Sequence, residues 1–219
     1  MSATSATGPT PLDIGNLRPI TWIEAEPARL ERDQQDVAAF EPSLKYIEPG
    51  TSVGDLVVAH GGWAGTLPLW PFDRPAPEGL EALIGGRGLD FVLVYPAAYP
   101  MVHPEIRPLT PQPEMIERTQ ATWHVLPNGG LCLLQSEGSW LPEASIVELL
   151  LKAAGWRVEY ALMKAGAIEK MALSGIVSDD SYDNLATATA NPSPASANVN
   201  AETADPGPAS TSLPPPAAH

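Results

Sequence analysis

Between Pro27 and Phe40 apolar residues recur at helical spacing: Leu30, Val37 and Phe40 share one stripe and charges fill the other faces, which predicts a first helix. The stretch Asp55 to Trp70 sets Val57, Val58, Trp63, Leu67 and Leu69 among Gly61, Gly62 and Gly65, and reads as strand, tight turn, strand. Leu89 to Tyr95 is a short apolar, β-branched and aromatic run stopped by Pro96, the pattern of a buried strand. Prolines at 96, 100 and 104 then predict a rigid, extended connector without ladder donors. Leu141 to Trp156 opens on Pro142 and Glu143, closes on Lys152 and Gly155, and has few polar positions between, so it predicts a largely buried helix. Val158 to Met171 predicts a last helix, weakened by Gly166.

The pattern fades at both ends. From Ser178 the chain turns to Ala, Thr, Ser, Pro and Asn without Lys or Arg, and the first residues are similar, so both ends are expected to be disordered. The expected organisation is a disordered 1–15, one folded domain over 16–177 and a disordered tail over 178–219. At 219 residues with 44% apolar content the chain can build a core without staples, while 25 prolines and 18 glycines argue against a plain helical bundle.

Charge narrows the function. Twelve Lys and Arg against 26 Asp and Glu give −14, so the attraction to phosphate that dominates nucleic-acid binding is missing, as is attraction to anionic membranes. The apolar runs are shorter than a bilayer span, and the amino terminus lacks the flanks of a secretory signal, so a cytoplasmic location is expected. With one cysteine an internal disulfide is excluded, and Cys132 is either a small buried hydrophobe or a reactive thiol. No metal or small-molecule cofactor is indicated, and Gly85-Gly86-Arg87-Gly88 lacks the spacing of a phosphate-cradling loop.

An ordered set of motifs surrounds that cysteine. The strand Leu89 to Tyr95 leads into Tyr99-Pro100-Met-Val-His-Pro104; then come Pro127-Asn-Gly-Gly-Leu-Cys132-Leu133 and, eight residues after the cysteine, Trp140-Leu-Pro142 ahead of the apolar helix. This series resembles the Tyr-Pro-x-x-Pro, Asn-Gly-x-Ile-Cys-Leu and Trp-Ser-Pro segments of the ubiquitin-conjugating enzymes. The resemblance implies an α+β fold with an N-terminal helix, an antiparallel β-meander, a crossover helix after the catalytic cysteine and a C-terminal helix. Where the family has His-Pro-Asn ending eight residues before the cysteine, this chain has Thr122-Trp123-His124, and some divergent members, including bacterial ones, are similar to it in placing His at the last of these positions.

By that likeness Cys132 is the nucleophile holding the C-terminus of a ubiquitin-like protein as a thioester, a bond that leaves readily when an amine attacks. His124 either donates a hydrogen bond to the developing oxyanion or helps remove the amine's proton. Asn128 is expected to serve the turn at Asn128-Gly129-Gly130, with support of the oxyanion or flap as its alternative duty. The implied partners are a ubiquitin-like protein, a ThiF-like activating enzyme that consumes the ATP, target lysines and a JAB-type metallopeptidase, in an anti-phage defence setting. The acidic first helix, with Arg29 and Arg32 its cations, departs from the basic docking surface usual in the family. Two other readings of Cys132 are a non-catalytic binding module of the same fold and a cysteine hydrolase, the latter needing a third group to orient its histidine.

Overall fold

The computed structural model describes residues 19–134, 139–172, 175–177 and 180–191. Helix α1, Trp22–Ala25, is held by a capping box in which the Thr21 hydroxyl accepts from the Glu24 N–H and the Glu24 carboxylate accepts from the Thr21 N–H at 3.0 Å. Helix α2, Pro27–Phe40, occupies the span that the apolar stripe predicts and begins on its proline. Its most buried positions are Arg29, Asp33 and Val37, so a charged pair lies on the face that packs inward.

Six strands follow: β1 Lys45–Ile47, β2 Thr51–Val53, β3 Leu56–Val58, β4 Gly62–Thr66, β5 Asp90–Val94 and β6 Glu105–Thr110. Four of them form one antiparallel sheet in the order β1-β4-β5-β6, and β2 pairs with β3 in a separate hairpin. The strand pair expected within Asp55 to Trp70 is therefore not a pair. β3 turns back onto β2 through Gly54-Asp55, a favoured two-residue connection, while β4 lies between β1 and β5.

β5 is the buried central strand that its sequence predicts, and its alternation divides the core. Phe91, Leu93 and the following Tyr95 join Trp63, Ile106, Leu149, Leu150 and Trp156, whereas Val92 packs with Ile47 and Val58 on the opposite face. The connector after β5 is a compact turn over 97–101 rather than an extended path. Prolines fix only their own φ and bias the residue before; Ala97 and Ala98 between them are free to turn, and Tyr99 N–H donates to Pro96 at 3.2 Å while Val102 N–H donates to Ala98 at 3.1 Å.

After the short helix α3, Leu80–Ile84, and the sheet, the two helices expected near the C-terminus are a single one, α4, Ile146–Lys164. It starts at Ser145, whose side chain accepts from Val147 N–H, so Pro142 and Glu143 lie in the turn before it. Gly155 does not end α4 because its missing side chain is what the packing requires: a Cβ there would sit 2.7 Å from Ile176 Cγ2.

The domain boundary expected at 177 falls too early. Helix α5, Asp183–Ala190, packs on α3 and α4 with Ala186 fully buried, and Arg74 pairs with Asp183 at 2.7 Å while also donating to the Ile176 carbonyl. That anchoring is tertiary, which local composition does not report. The expected disordered N-terminus and the tail beyond residue 191 lie outside the described residues. Among the described residues no helix is long and apolar enough to cross a membrane.

Candidate functional site

The segment after β6 is seated by a carboxylate. Glu117, almost fully buried, accepts from Glu114 N–H at 2.7 Å, Tyr160 OH at 2.9 Å and Lys164 Nζ at 2.9 Å. Burial works to raise its pKa, but the bonds from Lys164, the backbone and Tyr160 outweigh it and hold the carboxyl below its ordinary range. The Tyr160 phenol is pushed up to about 12 by burial and by Glu117, so it stays a donor.

A short 3₁₀ turn, Ala121–Trp123, then delivers His124 in the left-handed conformation, φ 49° and ψ 43°. Among the described residues it is the single non-glycine with positive φ, a geometry in which Asn, Asp and His are over-represented. From His124 the chain folds back on itself. Val125 bridges Leu131, Leu131 N–H donates to the Ile106 carbonyl at 2.8 Å, and Cys132 N–H donates to the His124 carbonyl at 2.8 Å. A small antiparallel flap thus brings the backbones of His124 and Cys132 side by side from opposite arms, and Leu131 ties the flap to β6.

Asn128 closes the flap's tip. Its Oδ1 accepts from Gly130 N–H at 3.0 Å and its Nδ2 donates to Glu105 at 3.1 Å, while Gly129 alone takes the positive φ. The turn duty expected of Asn128 is therefore carried by its side chain rather than by a left-handed backbone.

Cys132 is exposed, not packed between its flanking leucines; Leu131 points inward and Leu133 is half-buried. The thiol stands at the mouth of a largely apolar cleft of about 260 Å³, lined among others by His124, Leu134, Lys152, Trp156 and Met171. The far wall is tied to the flap twice: Trp156 Nε1 donates to the Trp123 carbonyl at 2.9 Å, and Met171 N–H donates to the Thr122 carbonyl at 3.2 Å. Buried Glu159 holds the return segment by accepting from Ala172 N–H at 2.9 Å and Ile176 N–H at 2.8 Å. Sequence reasoning passed over Glu159, whose signal is a lone acid in the apolar stretch Trp156 to Leu162.

The Cys132 segment is also clamped from its other end. Trp140 Nε1 donates to the Pro100 carbonyl at 2.8 Å, which joins the tryptophan after the cysteine to the Tyr-Pro turn. Arg29 lies over the Tyr99 ring at 4.8 Å and donates to the carbonyls of Pro142 and Ala144. Arg32 also reaches Glu143 and Ala144. The two cations of α2 thus hold the chain that leads into α4.

Burial lowers the pKa of His124 below its usual value near 6.5, so the imidazole is neutral at pH 7 and offers one donor and one acceptor. The linkage has a definite sign. The unfolded chain binds this proton more readily, so stability is lost as pH falls through about 6.5 and levels off below the folded pKa. His124→Asn, which keeps a side chain tolerant of left-handed backbone, is expected to flatten that acid-side loss in urea denaturation between about pH 5 and 7.5. Parallel curves for the two proteins would show that the imidazole is not desolvated.

No protein-family model, curated protein or solved structure matches the chain. An exposed thiol beside a neutral imidazole, at the edge of a largely apolar cleft, can capture an acyl group and release it to an incoming amine.

Proposed function

We propose that this chain is a conjugating enzyme of the ubiquitin type, which receives a ubiquitin-like protein as a thioester on Cys132 and transfers it to a lysine of a target. The observation that carries this reading is the exposure of the chain's one cysteine, backbone-paired with His124 at the mouth of the cleft. A buried Cys132 would have made it packing.

The order of elements supports the same reading. A helix precedes β1, β4, β5 and β6, laid down as a meander in chain order with the Tyr99-Pro100 turn between β5 and β6, and the flap, Cys132, Trp140 and the long α4 follow in the family's sequence. The His-for-Asn exchange at 124 is consistent with it as well, because both side chains suit the left-handed backbone found there and both can aim an N–H at a developing oxyanion. An activating enzyme of the ThiF type supplies the acyl group at the cost of ATP. A JAB-type metallopeptidase is the proposed companion, in the cytoplasm of a bacterium defending itself against phage.

The test is charging with a candidate activating enzyme, its ubiquitin-like protein and ATP. At short times wild type should give a heavier band that thiol reductant removes, and Cys132→Ala should give none. Binding of the ubiquitin-like protein without any covalent adduct, from a partner shown to be active, would make the chain a non-catalytic binding module instead.

A further inference from the structure

The cleft beside Cys132 holds a second reactive group. Lys152 lies on α4 one turn before Trp156, and both line the cleft that Cys132 and His124 open into. Its Nζ donates to the carbonyl of Leu133, the residue next to the cysteine, at 3.4 Å. That is long for an N–H···O bond, so little is lost when the amine turns away from it.

The other lysines are placed differently. Lys164 is bonded to Glu114 at 2.6 Å and to Glu117 at 2.9 Å, which raise its pKa and hold it as an ammonium. Lys45 lies in β1 and Lys170 in the turn after α4, and neither lines the cleft.

Resting on the thioester reading of Cys132, we propose that Lys152 is an acceptor in its own chain: an acyl group loaded on Cys132 passes to Lys152 and modifies the enzyme itself. The step is an S-to-N acyl transfer. The neutral Lys152 amine attacks the thioester carbonyl, a C–N bond forms as the C–S bond breaks, and the proton given up by the amine restores the Cys132 thiol. No oxidant or further co-reactant is needed. An amine held beside the thioester reacts at an effective concentration far above that of a diffusing lysine, up to about 10⁵ M or more where alignment is good. The amide so formed would fill the cleft mouth, making the modification self-limiting for the enzyme.

A synthetic peptide ending in Gly-Gly as its 2-mercaptoethanesulfonate thioester loads an exposed cysteine by thiol exchange, without any partner protein. After incubation of the full chain with this probe, intact mass before and after thiol reductant separates thioester from amide, and peptide mapping locates the amide. The expected result is an adduct that becomes thiol-resistant at a rate independent of protein concentration and maps to Lys152. Lys152→Arg should hold the adduct in its thiol-labile form, and Cys132→Ala should abolish it. Loading of Cys132 with an adduct that stays wholly thiol-labile in wild type, or that maps to another lysine, overturns the inference and leaves the thioester reading intact. Failure of Cys132 to load from both the probe and an active activating enzyme overturns the two together.

Discussion

Asp33→Ala is expected to cost about 3–5 kcal/mol of folding stability, the range for removing one partner of a buried ion pair. The carboxylate is fully buried and accepts from Arg29 Nε at 3.0 Å, Tyr95 OH at 3.0 Å and Tyr99 OH at 2.6 Å. Burial pushes its pKa up against the pull of Tyr99 and Arg29, so charge at this position is held by its partners alone. Without it, a buried guanidinium and two phenols lose their acceptor together.

The double variant Asp33→Leu with Arg29→Met should recover a large part of the loss, because the uncompensated charge goes with its partner. Since Arg29 also fixes Pro142 and Ala144, the double variant should still charge Cys132 more slowly than wild type where its stability is recovered. Denaturant unfolding of the three proteins measures this, and a loss under about 1 kcal/mol for Asp33→Ala would mean that the network does not hold the fold together.

Trp156→Ala should cost a comparable 3–5 kcal/mol, the usual range for truncating a buried aromatic. The indole is 4% exposed, stacks on Tyr160 at 4.8 Å and spans the interval between α4 and the flap. Truncation leaves the Trp123 carbonyl without its donor and removes part of the far wall of the cleft that His124 also lines. Trp156→Phe keeps most of the packing and loses the hydrogen bond, so it should cost only about 1 kcal/mol in stability while still weakening the flap. Unfolding midpoints together with amide exchange at Leu131 and Cys132 separate the two effects. Unchanged exchange at those amides in Trp156→Ala would show that the flap is seated elsewhere.

What the sequence revealed is what local pattern governs. The stripe of α2, the β-branched run of β5 and the spacing from Tyr99 through Cys132 to Trp140 were all legible, because each is a matter of neighbours along the chain. What escaped depends on distant partners. Arg29 and Asp33 read as the polar side of a surface helix, yet they are buried because Tyr95, Tyr99 and the carbonyls after Trp140 complete them.

Gly155 read as a helix end, although Ile176 makes it an interior requirement. The Ala and Thr run from Asp183 read as tail, but Arg74 and the buried Ala186 anchor it as α5. At the site, the sequence pointed to Cys132, His124 and Asn128, and it carried no sign of the left-handed turn at His124 or of Lys152 as their neighbour.

The most direct measurement is the intact mass of the chain after charging, taken for wild type, Cys132→Ser and Cys132→Ala. A thioester on Cys132 predicts, at short charging times before transfer to Lys152, a gain of one ubiquitin-like protein less one water that thiol reductant reverses in wild type. In the serine variant, the same gain as an oxygen ester would resist thiol and yield to alkali. A gain that survives in Cys132→Ala, or none at all with an active partner, would contradict a thioester on Cys132.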